Sequence, residues 1–470
     1  MKRFLAWCLV LASLCSLTAC AAGTQNGTRE PDTPEPPSTA LTPNTKEAHL
    51  LAKPELPQTV QRPNFEDYEA KDGTLDMEAY NAAYEAWQDD RTDRLALDDG
   101  WSDGMQSFFL TTSQQYLAGT DGENRVYSPL SLYLALAMLA ECTDGESRAQ
   151  ILSLLGSESI EIQRKKASAL WSSTYCDDGQ TKCLPGSSVW LNRGIDFRQE
   201  TMDALAEHYH AASYRGEMGS AALNEALQSW LNEQTGGLLK DAVKNVTLRP
   251  QTVIALASTL YFRAAWQNEF YAGATRSDTF HTPSGDVTCD FMHGGDAAGY
   301  YWGEKFEAVC LRFDMGGAMW LVLPREGHTP EQLLTDEEAQ RFLASGGDWA
   351  NCKSLTVNLT LPKFDVSADF DLKDGLMALG VRDVFDASVS DFTPLAADAK
   401  ALAVTQAQHA ARVKIDEEGC EAAAFTVIGV EGRAMVSEVI DLCFDRPFLF
   451  LVTAENEQPL FAGIVNTPAN

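Results

Sequence analysis

The residues able to do chemistry are numerous in this 470-residue chain, with 67 acidic side chains, 11 cysteines and 7 histidines, but their spacing assembles little of it. No nucleophile elbow, phosphate loop, dinucleotide loop or helical metalloprotease motif is present. His208 and His210 sit on a helical stretch and read as solvated or packed side chains rather than ligands. The carboxylates fall in runs that read as a solvated face, and none is paired as acid and base. No cysteine–histidine cluster has the spacing of a zinc site. The expectation is a chain that is not an enzyme and needs no metal or cofactor. Cys176 and Cys183, close in sequence around a glycine-containing turn, are the best candidates for a disulfide.

One segment stands apart. Residues 415–433 read Ile-Asp-Glu-Glu-Gly-Cys-Glu-Ala-Ala-Ala-Phe-Thr-Val-Ile-Gly-Val-Glu-Gly-Arg. After Gly419, alternate residues Cys420, Ala422, Ala424 and Thr426 are all small and uncharged. Alternate residues share one face of a strand. That face can be buried between two strands without an unpaired charge. Glu421-Ala422-Ala423-Ala424 also has high helix propensity, and the local pattern leaves helix and insertable strand both open.

Glu417-Glu418-Gly419-Cys420-Glu421-Ala422-Ala423-Ala424 resembles the hinge of the serpin family, and other blocks follow in the family's order. Ser128-Pro129 with Ser131 is similar to the start of the helix under the main sheet. Ser258 to Trp266 resembles a central strand of that sheet. His409, eight residues before Glu417, stands where the family has its shutter histidine. Arg446-Pro447-Phe448-Leu449-Phe450 and Pro459-Leu460-Phe461-Ala462-Gly463 resemble the C-terminal strands. The resemblance implies an α+β fold of three β-sheets surrounded by eight to nine helices, with an exposed reactive-centre loop. It gives shutter and breach roles to Ser128, Ser131, Ser258, His409 and Trp266. It implies a suicide-substrate mechanism: a protease attacks one loop bond, is acylated, and is carried away as the loop enters the main sheet.

In the family the scissile bond lies at a nearly fixed distance from the hinge glycine. Fourteen residues beyond Gly419 is Arg433, so the bond is expected at Arg433–Ala434, with Met435 or Glu431 the alternatives. Arginine suits a trypsin-like pocket, where an aspartate accepts a bidentate charge-assisted pair. Residues 420–433, fully extended, reach roughly 46 Å. Cys420 replaces the family's usual threonine at similar volume. Phe425 replaces a small residue on the face pointing away from the sheet's core, and slower insertion is expected. Ser258 stands where the family usually has asparagine, which is expected to alter the hydrogen bonding around His409. The functional expectation is an inhibitor of trypsin-like serine proteases, an endopeptidase inhibitor rather than an enzyme. The alternative is a non-inhibitory serpin acting as a binding or carrier protein.

The elements that must position this loop lie in residues 101–470. Helices are predicted at Leu132–Leu139, Thr143–Leu155 and Leu223–Gln234, and strands at Val253–Phe262, Ala318–Leu323, Ser354–Leu361, Phe448–Val452 and Leu460–Val465. Helices and strands do not alternate regularly, so the pattern is mixed α+β. Before this domain, residues 1–19 form a signal peptide whose Leu17-Thr18-Ala19-Cys20 resembles the bacterial lipoprotein cleavage box, implying lipidation at Cys20. Residues 20–63, rich in Pro and Thr, read as a disordered linker, and residues 64–100 as an acidic, partly helical extension. A formal charge of −31 argues against nucleic-acid partners. The expected product is a monomer on the extracellular face of a bacterial membrane, lipid-anchored through Cys20, with a serine protease as partner.

Overall fold

The hydroxyl of Ser128 accepts the N–H of Ser131 at 3.1 Å, and Pro129 occupies the first turn that follows. This cap and a proline at a position with no intrahelical donor to lose start the helix Pro129–Glu141. All of its residues but Ala135 and Leu139 are buried. Each buried leucine contributes roughly 1.5–3 kcal/mol, so the helix forms the floor of the domain. In this computed structural model the described residues are 46–468, with 71, 238, 240–242, 245, 295–296, 315, 398–401 and 421–437 excepted.

Three sheets are present, and the fold is mixed α+β. The main sheet has eight strands, in the order Leu50–Ala52, Ala211–Gly216, Lys182–Asn192, Ile254–Ala265, Gly419–Cys420, Gln408–Ile415 and Phe364–Asp371, with Cys176–Asp177 paired to Lys182–Asn192. The second sheet has seven strands, ordered Cys352–Lys353, Ala297–Trp302, Phe306–Arg312, Ala318–Pro324, Phe448–Thr453, Pro459–Val465 and Arg125–Tyr127. The third has four, Val439–Cys443, Thr356–Pro362, Gly285–His293 and Arg276–Thr282. Ten α-helices are found among the described residues, nine of them within 101–470.

The long apolar run expected as a buried strand is Ile254–Ala265, and the predicted helices are Pro129–Glu141, Gly145–Leu155 and Ala221–Gln234. Gly156 closes the second of these with φ 64°, a left-handed cap that glycine adopts without strain. Helix Ala221–Gln234 lies over the main sheet. Its Leu223, Ala226, Leu227 and Trp230 pack with Trp190 and Tyr214 into a core separate from the principal one.

Two expectations change here. Within the region read as linker, residues 50–52 form a strand: Leu50 pairs with Tyr214 and Ala52 with Ser213 on the edge of the main sheet. Composition hid this because the pairing surface belongs to Ala211–Gly216, not to the linker itself. Cys176 and Cys183 do face each other across neighbouring strands, but both are free thiols. Burial pushes the Cys176 thiol up to about 12 and raises that of Cys183 as well. Cys20 lies outside the described residues.

Candidate functional site

The main sheet is built in two parts that meet at the hinge. Lys182–Asn192 pairs antiparallel with Ile254–Ala265 on one side, and Gln408–Ile415 pairs antiparallel with Phe364–Asp371 on the other. Among the described residues, the parts are joined within the sheet through Gly419–Cys420 alone. This short strand is antiparallel to both neighbours, with Gly419 opposite Ala265, and Cys420 opposite Ala264 and Ile415. Ile254–Ala265 and Gln408–Ile415 consequently run in the same direction.

Gly419 is required by close approach: a Cβ there would stand 2.2 Å from the carbonyl oxygen of Ala264. Cys420 is 3% exposed. Four side chains hold the base of the hinge. Trp266, buried, donates its backbone N–H to Glu418 O (2.9 Å) and its indole Nε1 to Asp416 O (3.0 Å). It stacks on Phe313 at 5.0 Å between centroids. Lys363 Nζ pairs with Glu417 Oε2 at 2.7 Å, and Thr275 Oγ1 donates to Glu417 Oε1 at 2.7 Å. Burial works to raise the Glu417 carboxyl, but the hydrogen bonds from Lys363 and Thr275 outweigh it and the net direction is down. The hydrogen bond to Glu417 raises the Lys363 ammonium in turn.

Below the hinge, His409 is buried between the rings of Tyr127 and Phe370. Its Nε2 accepts the backbone N–H of Ser128 at 3.0 Å, so the imidazole is neutral, and burial pushes its pKa down to about 4. Ser131 is buried beside this contact, its N–H given to the Ser128 hydroxyl. Ser258 faces Ser187 across the sheet. Its hydroxyl is buried with no hydrogen-bond partner among the described residues, and so makes no hydrogen bond to His409.

The structure thus gathers Ser128, Ser131 and His409 into one contact and Trp266, Glu417, Glu418, Gly419 and Cys420 into another. Glu421, Ala422, Ala423, Ala424, Arg433 and Ala434 lie outside the described residues. Sequence reasoning missed Lys363, Thr275, Asp416 and Phe313, whose roles arise from pairing over long sequence separations. Away from the site, His210 stacks on Trp171 at 3.8 Å, in keeping with a packed side chain.

Comparison with known proteins agrees with this architecture. Residues 103–468 match the family model described as Serpin (serine protease inhibitor), and the chain belongs to the serpin family. It is 29% identical over 367 residues to an uncharacterized serpin-like protein of Thermococcus kodakarensis, covering 75% of this chain and 82% of that one. It is 28% identical over 356 residues to alpha-1-antitrypsin of Meriones unguiculatus, covering 73% and 84%. Among solved structures, the thermophilic serpin tengpin in its native state superposes with a TM-score of 0.70 at 22% identity, covering 79% of this chain and 95% of that one. Human thyroxine-binding globulin complexed with thyroxine gives 0.69 at 21%, covering 79% and 99%.

Serpins are mostly inhibitors that target serine proteases, and some are carriers. One expectation is corrected by this membership. Suicide-substrate inhibitors enter a protease's catalytic cycle as a substrate does, so the flat exclusion of enzyme status drawn from missing motifs does not stand.

Proposed function

We propose that this chain is a suicide-substrate inhibitor of trypsin-like serine proteases, cut at Arg433–Ala434 and held at the outer face of a bacterial membrane by a lipid on Cys20. One observation carries the mechanism: the strand Gly419–Cys420 sits between two longer strands that run parallel to each other and antiparallel to it. A chain continuing from Cys420 in the same direction finds backbone donors and acceptors on both sides.

The register defines what such a continuation meets. Extended along Ile254–Ala265, it brings Ala422 opposite Phe262, Ala424 opposite Leu260 and Thr426 opposite Ser258, and runs out of partners after Val430. Along Gln408–Ile415, the same residues meet Val413, Ala411 and His409. The small face therefore turns toward the buried Phe262, Leu260 and Val413. Thr426 arrives between the unpartnered Ser258 hydroxyl and His409. Arg433 falls three residues past the last partner, where an attached protease clears the end of the sheet.

In the covalent step the protease serine oxygen bonds to the Arg433 carbonyl carbon. The Arg433–Ala434 C–N bond breaks, the Ala434 nitrogen takes the proton, and an ester remains. Insertion then removes the protease from its leaving peptide and distorts its active site. Losing one oxyanion-hole donor alone slows such an enzyme by about 10²–10³-fold. The test is to mix the purified chain with trypsin on a denaturing gel. A band of the summed mass that survives boiling supports the reading. Clean cleavage near Arg433 with full trypsin activity overturns it in favour of a non-inhibitory serpin.

A further inference from the structure

Just below the hinge, the face of the main sheet turned away from the principal core carries a row of basic side chains. Ala264 and Ile415, the partners of Cys420, are buried in that core. Their chain neighbours Arg263 and Lys414 project from the opposite face, because successive residues of a strand alternate. Lys182 stands directly opposite Arg263 on the next strand and shares its face. Like charges opposed in this way on neighbouring strands are destabilising.

Two of the three cations are answered within the fold. Lys182 pairs with Asp177 at 3.2 Å and Lys414 with Asp416 at 3.3 Å. On the far side of Lys414 stands Asp365, which Arg412 already engages through two hydrogen bonds. Arg263 is half-buried and has no ion pair or side-chain hydrogen bond among the described residues.

The hinge strand fixes what enters beside this row. One residue past Cys420 in the same direction is Glu421, which comes opposite Arg263 on one side and Lys414 on the other. Directly opposed residues have Cβ atoms about 4.5–5.5 Å apart, within reach of a carboxylate meeting a guanidinium or an ammonium. Among residues 421–430, which meet partners on the sheet, Glu421 is the only charged one. It is also the first that an entering loop adds to the strand Gly419–Cys420.

We propose that Arg263 and Lys414 form a docking site for the carboxylate of Glu421, and that this pairing draws the cut loop into the sheet at its first step. The proposal rests on the insertion mechanism above and makes Glu421 a positioning residue. Fast entry traps the acylated protease. Slow entry leaves time for water to attack the Arg433 carbonyl carbon. The protease serine oxygen then leaves with a proton, and active enzyme departs from a spent chain.

The experiment titrates trypsin with the full chain and measures the ratio of cleaved to trapped chain, with the rate of first cleavage followed alongside. E421Q should leave that rate unchanged and raise the ratio about fivefold, the rate equivalent of two cross-strand charge pairs. E431Q, the same change beyond the last strand partner, should keep the unaltered ratio. Raising salt from about 0.1 M to about 1 M shortens the screening length from about 10 to about 3 Å. It should raise the ratio for the unaltered chain and leave that of E421Q where it was. E421K should raise the ratio further, and E421K/R263E should bring it back toward the unaltered value, a rescue that a packing role does not produce. If R263E fails to fold, R263Q takes its place: it should raise the ratio alone, and E421Q/R263Q should add little to E421Q. Equal ratios for E421Q and the unaltered chain, an equal rise in E431Q, absence of rescue by a folded E421K/R263E, or full additivity of E421Q and R263Q overturn the proposal. If the unaltered chain traps no trypsin and gains no resistance to heat once clipped, the insertion reading fails instead.

Discussion

The buried Nε2 of His409 accepts the backbone N–H of Ser128 at 3.0 Å, tying the strand Gln408–Ile415 to the first turn of helix Pro129–Glu141. The contact needs a neutral imidazole, and burial pushes the pKa from 6.5 to about 4. The folded state thus binds the proton more weakly than the unfolded chain does. Its stabilisation is complete above about pH 6.5 and is lost as pH falls toward 4, by about 3 kcal/mol for this group. Urea unfolding at pH 7.5 and pH 5 should show about 2 kcal/mol of that loss, the rest falling below pH 5, and His409→Gln should flatten it. A His409→Gln chain with unchanged pH dependence would assign the loss elsewhere.

The ion pair between Lys363 and Glu417 spans the hinge base and the strand Phe364–Asp371. Lys363 is 37% exposed, and solvent screening limits the pair. Glu417→Gln keeps the volume and removes the charge, and should cost about 1 kcal/mol. The same variant should speed loop entry in the uncut chain, read as earlier loss of trypsin trapping on storage.

Gly419 admits no side chain where it meets Ala264. Gly419→Ala must push the hinge strand off its partner and should destabilise by about 1–3 kcal/mol. Hydrogen exchange at the amides of Ala264 to Trp266 should rise, while exchange in the third sheet stays unchanged.

Much of this arrangement was legible in the sequence because it is local. Ser128-Pro129 marks a helix start, Gly156 a helix end, and the apolar run from Val253 a strand, although residues 254–258 are half-buried rather than buried. Of the hinge, Gly419 and Cys420 form the short strand between the two halves, while Ala422, Ala424 and Thr426, which complete the alternating small face, lie outside the described residues. The strand Leu50–Ala52 was not legible, since three residues near Pro54 and Pro57 carry no strand signal and owe their pairing to Tyr214 and Ser213. The Lys363–Glu417 pair was hidden for the same reason: neither residue's neighbours in sequence point to the other. The Cys176–Cys183 pairing was legible as proximity, but the thiol state depends on burial that spacing does not carry.

In the inserted form proposed above, Thr426 meets His409. In the inserted register it lies opposite Ser258, whose hydroxyl has no partner among the described residues. Thr426→Val should therefore lower the heat resistance of the cleaved form by about 1–3 kcal/mol, the cost of an unsatisfied buried polar group. Calorimetry of cleaved wild-type and variant chains measures it, and equal stabilities would refute the register.

Two substitutions separate target choice from trapping. Arg433→Ala removes the partner of the trypsin pocket and should abolish the covalent band with trypsin. Cys420→Arg places a long cation where the chain is 3% exposed between Ala264 and Ile415 and should turn inhibitor into substrate, with cleavage continuing and trypsin left active. A trapped complex from Cys420→Arg would refute the insertion mechanism.

The strand Leu50–Ala52 also has a consequence for crowding. Without it, Ala211–Gly216 would present a free row of amide and carbonyl groups, a template on which a second molecule could align. Residues 50–52 cover the middle of that row, at Tyr214 and Ser213, with a strand too short to recruit another, and Pro54 and Pro57 follow at once with no N–H to offer. That stretch of the edge is thereby closed to a second strand.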